Sequence, residues 1–341
     1  MAVYTTIDDP EAYFQVVLYT GNGRTQAVTF GGDTDMQPDL VWTGDRTRSD
    51  NHALYDSVRG VTKAVYSEVA SAESTHATGL TAFDSNGWTM GLDSQINYNN
   101  DNYVAWCWKE SATSGFDIVA YTGDGSNRTI SHSLSAVPHV MIVKNKVGEN
   151  GWAVYQHKNT AAPETDVLEL DSTGATVDND PRWNDTAPTS SVFTVGTHAT
   201  TNNDGTAFIA YLFSEKQGFS KFSSYTGNGN ADGPFIYTGF RPAWVMIKRT
   251  DGANGWFISD DQRMGFNSAT TNSATLGNVE LNANTSRTEA EGNTNIMDIF
   301  SNGFKMHGTG NDTNGSGATY IYFAFAKAPF VNSNGVPCNA R

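Results

Sequence analysis

Basic residues are scarce in this chain: 21 Lys and Arg stand against 36 Asp and Glu in 341 residues, a formal charge of −15. Nucleic-acid binding needs clustered cations to neutralise phosphates, so this balance argues against it. Docking on an anionic membrane is disfavoured for the same reason, whereas strong like charge favours a soluble, exposed particle. Long apolar runs are missing too. No stretch approaches 18 apolar residues, so membrane insertion through a helix is not expected. The opening MAVYTTIDDPEAYFQ has acids where a signal peptide needs bases, and synthesis in a cytoplasm without a leader is the expectation. Only two cysteines occur, Cys107 and Cys338, neither in a CxxC pair nor beside a histidine. That excludes zinc and redox motifs and predicts two free thiols. Helical periodicity is almost absent, its nearest approach being a turn around residues 70–74.

What is present is repetition. YTGNG at 19–23 returns as YTGDG at 121–125 and YTGNG at 225–229. An aromatic-led run precedes each copy, and 17 to 19 residues after each Tyr a proline (Pro38, Pro138, Pro242) opens an apolar strand. Fourteen residues past each proline comes His52, Trp152 or Trp256, heading HALYD, WAVYQ and WFISD. Asn150-Gly151 and Asn254-Gly255 precede two of these runs, a dipeptide that predicts tight hairpins with left-handed turn residues. Each repeat closes on an aromatic strand: YVAWCWK, FIAYLFS or YIYFAFA. A constant order with one constant spacing marks three copies of one unit.

Each unit holds about seven short β-rich runs between Gly, Asn, Asp and Pro turns, which predicts an all-β fold of three tandem antiparallel β-sandwich domains, jelly-roll or lectin-like. The expected boundaries are residues 1–112 (an N-terminal arm and repeat one), 113–217 (repeat two) and 218–341 (repeat three and a tail). The closing strands are apolar on both faces, so they should be central in their sheets or covered by a neighbouring unit. Trp106, Tyr211 and Phe323 are expected at equivalent buried sites. YTGNG leads into neither a helix nor a Lys, so it reads as a turn and not a phosphate cradle.

Chemistry is sparse. PETDVLELD contains Glu164, Asp166 and Glu169 as E-x-D-x-x-E, the pattern of certain retaining β-glucanases built on jelly rolls. That chemistry needs the carboxyls about 5 Å apart, yet in a regular strand Glu169 points away from Glu164 and Asp166. A surface strand with solvated acids is the expectation, and no catalytic residue is assigned. No metal motif is assigned from the seven histidines. Asp-rich loops at 33–35, 178–180 and 311–313 offer carboxylates and carbonyls of the kind Ca²⁺ takes, but none follows a calcium-loop pattern, so no cofactor is expected. An acidic, Asn-rich β-protein with eight Trp and 14 Tyr suits carbohydrate binding, since a sugar's apolar face stacks on a ring. Trp183, Tyr98 and Phe266, outside the repeat register, are the candidate platforms.

The segments QPDLVW, DSVRGVTK, YVAWCWK, WNDTAPTSSVFTVG, YTGNGNADGPFIYTGFRPAWVMIK and FAFAKAPFVNSNGVPCNAR resemble a family of repeated β-domain proteins of tailed bacteriophages, marine and cyanobacterial ones especially. These are often described as tail-fibre or lectin-like structural proteins. The resemblance covers essentially the whole chain. It implies a non-enzymatic virion structural protein on the virion surface, with other virion proteins as partners and a homo-oligomer, a trimer above all. Host attachment through a surface glycan is the expected binding role. Capsid decoration and a glucanase-type glycan depolymerase are the alternatives.

Overall fold

The closing run of repeat one forms the strand Asn102–Trp108, and its alternate side chains serve two different cores. Val104, Trp106 and Trp108 enter one cluster, while Ala105 and Cys107 enter another. Two buried faces explain why the run is apolar without alternation. The computed structural model describes residues 4–263, 279–291, 295 and 297–339.

Each repeat builds one six-stranded antiparallel sheet. In repeat one its order is Phe14–Thr20, Asn102–Trp108, Leu40–Asp45, Ala53–Asp56, Lys63–Tyr66, Ser74–Thr75. A smaller sheet of Gln26–Val28, Gly87–Met90 and Leu80–Asp84 covers one face. Val28, Trp88 and Met90 pack there against Val41, Tyr55 and Cys107, so the unit is a sandwich. Repeats two and three have the same order in the large sheet, with small sheets of two and three strands. Pro38 and Pro138 precede their strands by two residues, and Pro242 sits at a bulge in Phe240–Arg249, where a missing N–H is tolerated.

The repeated pentapeptide is a corner between the two sheets. Its second glycine is left-handed in every copy (Gly23 φ 63°, Gly125 φ 68°, Gly229 φ 64°). A Cβ on its first glycine would lie 2.2, 2.2 or 2.4 Å from a backbone oxygen at Gly21, Gly123 and Gly227. Its tyrosine hydroxyl donates to Ile96 O, Thr201 O or Thr313 O. A buried asparagine then locks the corner. Asn97, Asn202 and Asn314 accept the N–H of Asn22, Asp124 and Asn228 at 2.8, 3.0 and 2.9 Å. Each also donates to the closing glycine carbonyl, Gly91, Gly196 or Gly308, at 2.7–2.8 Å.

Two expectations need correction. Residues 70–73 are irregular, and among the described residues the helical turns lie at Pro10–Ala12, Ser94–Asn97 and Ala199–Asn202, the first two capped by Asp9 and Asp93. Neither Asn-Gly pair is left-handed. The side chain of Asn145 instead accepts the N–H groups of Val147 and Gly148 (2.9 and 3.0 Å), which widens that connection beyond a two-residue turn.

The uncovered faces of the three large sheets meet in one shared core, containing Trp42 and Trp106, Trp152 and Tyr211, Trp256 and Phe323. Their seams run in a cycle. Glu73 N–H donates to Lys146 O (2.9 Å), Thr176 N–H to Thr250 O (2.9 Å) and Glu289 N–H to Arg46 O (3.1 Å). Donors and acceptors stand at corresponding positions, so repeat one leans on two, two on three, and three on one.

Side chains follow the cycle with substitutions. Tyr211 donates to Asp56 at 2.7 Å and Trp106 Nε1 to Asp260 at 3.0 Å. Both acceptors are fully buried carboxylates paired with buried Arg59 and Arg263. At the third seam the donor position holds Phe323, and the acceptor position holds the uncharged Gln156. Trp152 and Trp256 donate to Tyr66 O (2.8 Å) and Glu169 O (2.9 Å). His52, their counterpart, is buried with neither ring nitrogen hydrogen-bonded. Burial holds it neutral, its pKa lowered to about 4. Arg46 and Glu289 make a bidentate pair (2.8–3.1 Å) on that seam instead.

Candidate functional site

The carboxylates of the glucanase-like pattern do not converge. Glu164 lies in a turn before the strand Asp166–Glu169. Val167 and Leu168 enter different cores, so Asp166 and Glu169 stand on opposite faces. Asp166 accepts the Thr160 hydroxyl, and Glu169 pairs with Arg182 at 2.8 Å.

The aromatic candidates separate. Trp183 is fully buried, donates to Asp166 O at 3.1 Å and packs edge-on against Tyr155, so it has no face for a sugar. It is the counterpart of Leu80: each follows the residue whose carbonyl accepts from the closing glycine N–H. Tyr98 is 47% exposed, but the Arg48 guanidinium lies 3.9 Å from the centre of its ring and covers one face. Phe266 lies outside the described residues.

Among the described residues no cluster of His, Cys, Asp and Glu has metal-holding geometry. In the 311–313 loop, Asp312 is already engaged with Asn254 (2.9 Å), Gly255 N–H (3.3 Å) and Asn295 (3.1 Å). A hydrogen bond with Asp180 and that neighbour's charge raise the Asp178 carboxyl from its ordinary value.

A cleft of about 360 Å³ opens where three segments outside the repeat pattern meet: the N-terminal arm, the crossover from repeat two to three, and the C-terminal tail. Tyr4, Glu215, Lys221, Tyr237, Thr238 and Phe330 line it. The arm is tied to repeat three by Glu11–Lys327 (2.6 Å) and by Ser333 N–H to Asp8 (2.7 Å), while Ile7 enters the shared core. Gly218 is left-handed (φ 77°), and a Cβ there would lie 2.7 Å from Thr5 Cβ. Only glycine lets the crossover pass beneath the arm.

Tyr4 and Tyr237 are 49% and 61% exposed. Glu215 and Lys221 pair beside them at 2.6 Å. Aromatic bodies with a few polar groups in a cleft of this size suit a small polar ligand with an apolar face. Sequence reasoning missed both tyrosines. The strand Phe235–Tyr237 alternates exposed, buried, exposed, with aromatics at both outward positions, and that was the available signal.

Residues 9–329 match a family model described as a domain of unknown function, DUF7483. The chain belongs to this family. The DUF7483 span begins before the turn Pro10–Ala12 and ends with the strand Thr319–Pro329, so one family unit takes in all three repeats. Tyr4 and Phe330 lie outside the matched span. Among curated proteins, none matches the chain.

Proposed function

We propose that this chain is a structural protein of a tailed-phage virion, carried on a tail fibre or another surface appendage, with host-surface glycan contact at the tyrosine cleft. The observation that carries the reading is the closed cycle of seams. Three sandwiches share one core, and the arm of the first is tied to the last, giving a self-supporting acidic body suited to an exposed position. The resemblance along the whole chain supports the phage setting. A homotrimer stands one level above this cycle, because the three sandwiches already surround a common core within one chain.

The same cycle favours a second reading, capsid decoration. A body with three equivalent faces suits a site of local threefold order on a shell. Labelling purified particles with an antibody to this chain, followed by particle reconstruction, tests both. Copies on an appendage support the first reading and copies at threefold shell positions the second. Particles without the chain would overturn the virion assignment.

A further inference from the structure

Repeat one carries, at the edge of its large sheet, a group of side chains that the other repeats lack. Ser74 lies on the edge strand and His76 just beyond it, with His76 Nε2 2.9 Å from Ser74 Oγ. On the other side of the ring, Nδ1 is 2.7 Å from Asp93 Oδ2. Asp93 is only 8% exposed. Its Oδ1 accepts the Gln95 N–H at 3.0 Å and caps the turn Ser94–Asn97, whereas the buried Oδ2 is set against the imidazole and no other donor.

Proton counting assigns the roles. The Tyr66 oxygen lies 2.6 Å from His76 Nε2 and 3.1 Å from Ser74 Oγ, and its hydroxyl donates to Gln95 Oε1 at 2.6 Å. With Tyr66 donating to Gln95 and the ring's single proton on Nδ1 toward Asp93, Nε2 accepts from Ser74; with that proton on Nε2 the ring donates to Tyr66 instead. Once protonated at both nitrogens, the ring faces two acceptors, the Asp93 carboxylate and the Tyr66 oxygen.

The scaffold does not require this group. In repeat two the register positions of Ser74, His76 and Asp93 hold Val177, Asn179 and His198. In repeat three Ala290 and Gly310 stand at the positions of Ser74 and Asp93. The His76 N–H bonds to Thr62 O at 2.8 Å, and Thr62 is left-handed (φ 66°), unusual for a β-branched residue. Its counterpart Thr165 is not left-handed. Unfavourable backbone conformations collect at functional sites, and this one holds the histidine in place.

We propose that Ser74 and His76 are catalytic residues, and Asp93 a positioning residue, for hydrolysis of short-chain carboxylic esters. Ser74 Oγ bonds to the ester carbonyl carbon while its proton passes to His76 Nε2. The carbon–oxygen bond to the alcohol breaks, and the alcohol leaves with that proton. Water, deprotonated by His76, then attacks the acyl-serine, releasing the carboxylic acid and restoring Ser74. Ser74 and His76 are half-buried beside the seam to repeat two with Thr75 exposed between them, so an acyl group reaches Ser74 from that side, and the net charge of −15 favours neutral esters over anionic ones.

The test incubates the full chain with a fluorophosphonate probe, maps the adduct by peptide mass, and follows p-nitrophenyl acetate hydrolysis. An adduct at Ser74 that disappears in Ser74→Ala is expected. His76→Gln should slow labelling by roughly 100-fold or more. Asp93→Asn keeps the helix cap but loses the charge, so it should slow labelling by up to about 10⁴-fold and move the acidic limb of its pH profile to lower pH. A purely structural Asp93 would not move that limb. No adduct at Ser74 in protein with native melting, or an Asp93→Asn profile identical to wild type, overturns the proposal.

Discussion

Tyr211→Phe removes one oxygen from the shared core and leaves the ring shape intact; phenylalanine is already the native residue at the equivalent position, Phe323. The lost hydroxyl donates to Asp56 Oδ2 at 2.7 Å and accepts from Arg59 Nη2 at 3.3 Å. Both partners are fully buried. A hydrogen bond to a buried charged group is worth about 1.5–3 kcal/mol, so the expected loss is about 2 kcal/mol. Unfolding entropy of about 2.1 cal/mol/K per residue converts this to roughly 3 °C if all 341 residues melt together. A repeat of about 100 residues melting alone would instead fall by roughly 9 °C. Thermal unfolding followed by circular dichroism reads the difference, and pairing with Asp56→Asn in a double-mutant cycle isolates the seam contact. An unchanged midpoint, with no coupling to Asp56, would refute the seam.

Other consequences follow from the same geometry. Asn97→Ala, Asn202→Ala and Asn314→Ala each strip a buried corner of several hydrogen bonds and should cost roughly 2–4 kcal/mol in chemical denaturation; losses under about 0.5 kcal/mol would show that the corners do not depend on them. His52 and His157 have folded pKa values lowered by burial to about 4, against 6.5 when unfolded. Each stays neutral in the fold, so its contribution is present above pH 6.5 and drains away as pH falls toward 4. His52→Phe should therefore flatten the loss of stability in that window, and an unaltered pH profile would contradict the assignment. Tyr237→Ala and Tyr4→Ala should leave melting unchanged and weaken retention on host cells about tenfold or more, as expected for exposed anchors; full retention by both variants would remove the cleft from host contact.

The strand order was legible because each run recurs three times with constant spacing, and the role of YTGNG because neither a helix nor a Lys follows it. The double burial of the closing strands was legible from Trp106, Cys107 and Trp108 standing in a row. The cycle of seams was not. Its contacts join residues 154 and 155 positions apart, and the donors differ in every repeat: Trp106, Tyr211 and then none at Phe323. Periodicity reports that a face is buried and not what covers it. Trp183 misled for a related reason. It replaces a leucine at a core position, so it looked out of register while lying in it. The cleft escaped because Tyr4 reaches it only after the chain has closed on itself, and the relay in repeat one because Asp93 lies 17 residues beyond His76 and only folding brings them together.

Calorimetry of the intact chain tests the closed body most directly. Three sandwiches sharing a core should unfold in one cooperative transition, with calorimetric and van't Hoff enthalpies in a ratio near one. Three separable transitions, or a ratio near three, would mean that the repeats fold independently and that the cycle of seams does not hold them together.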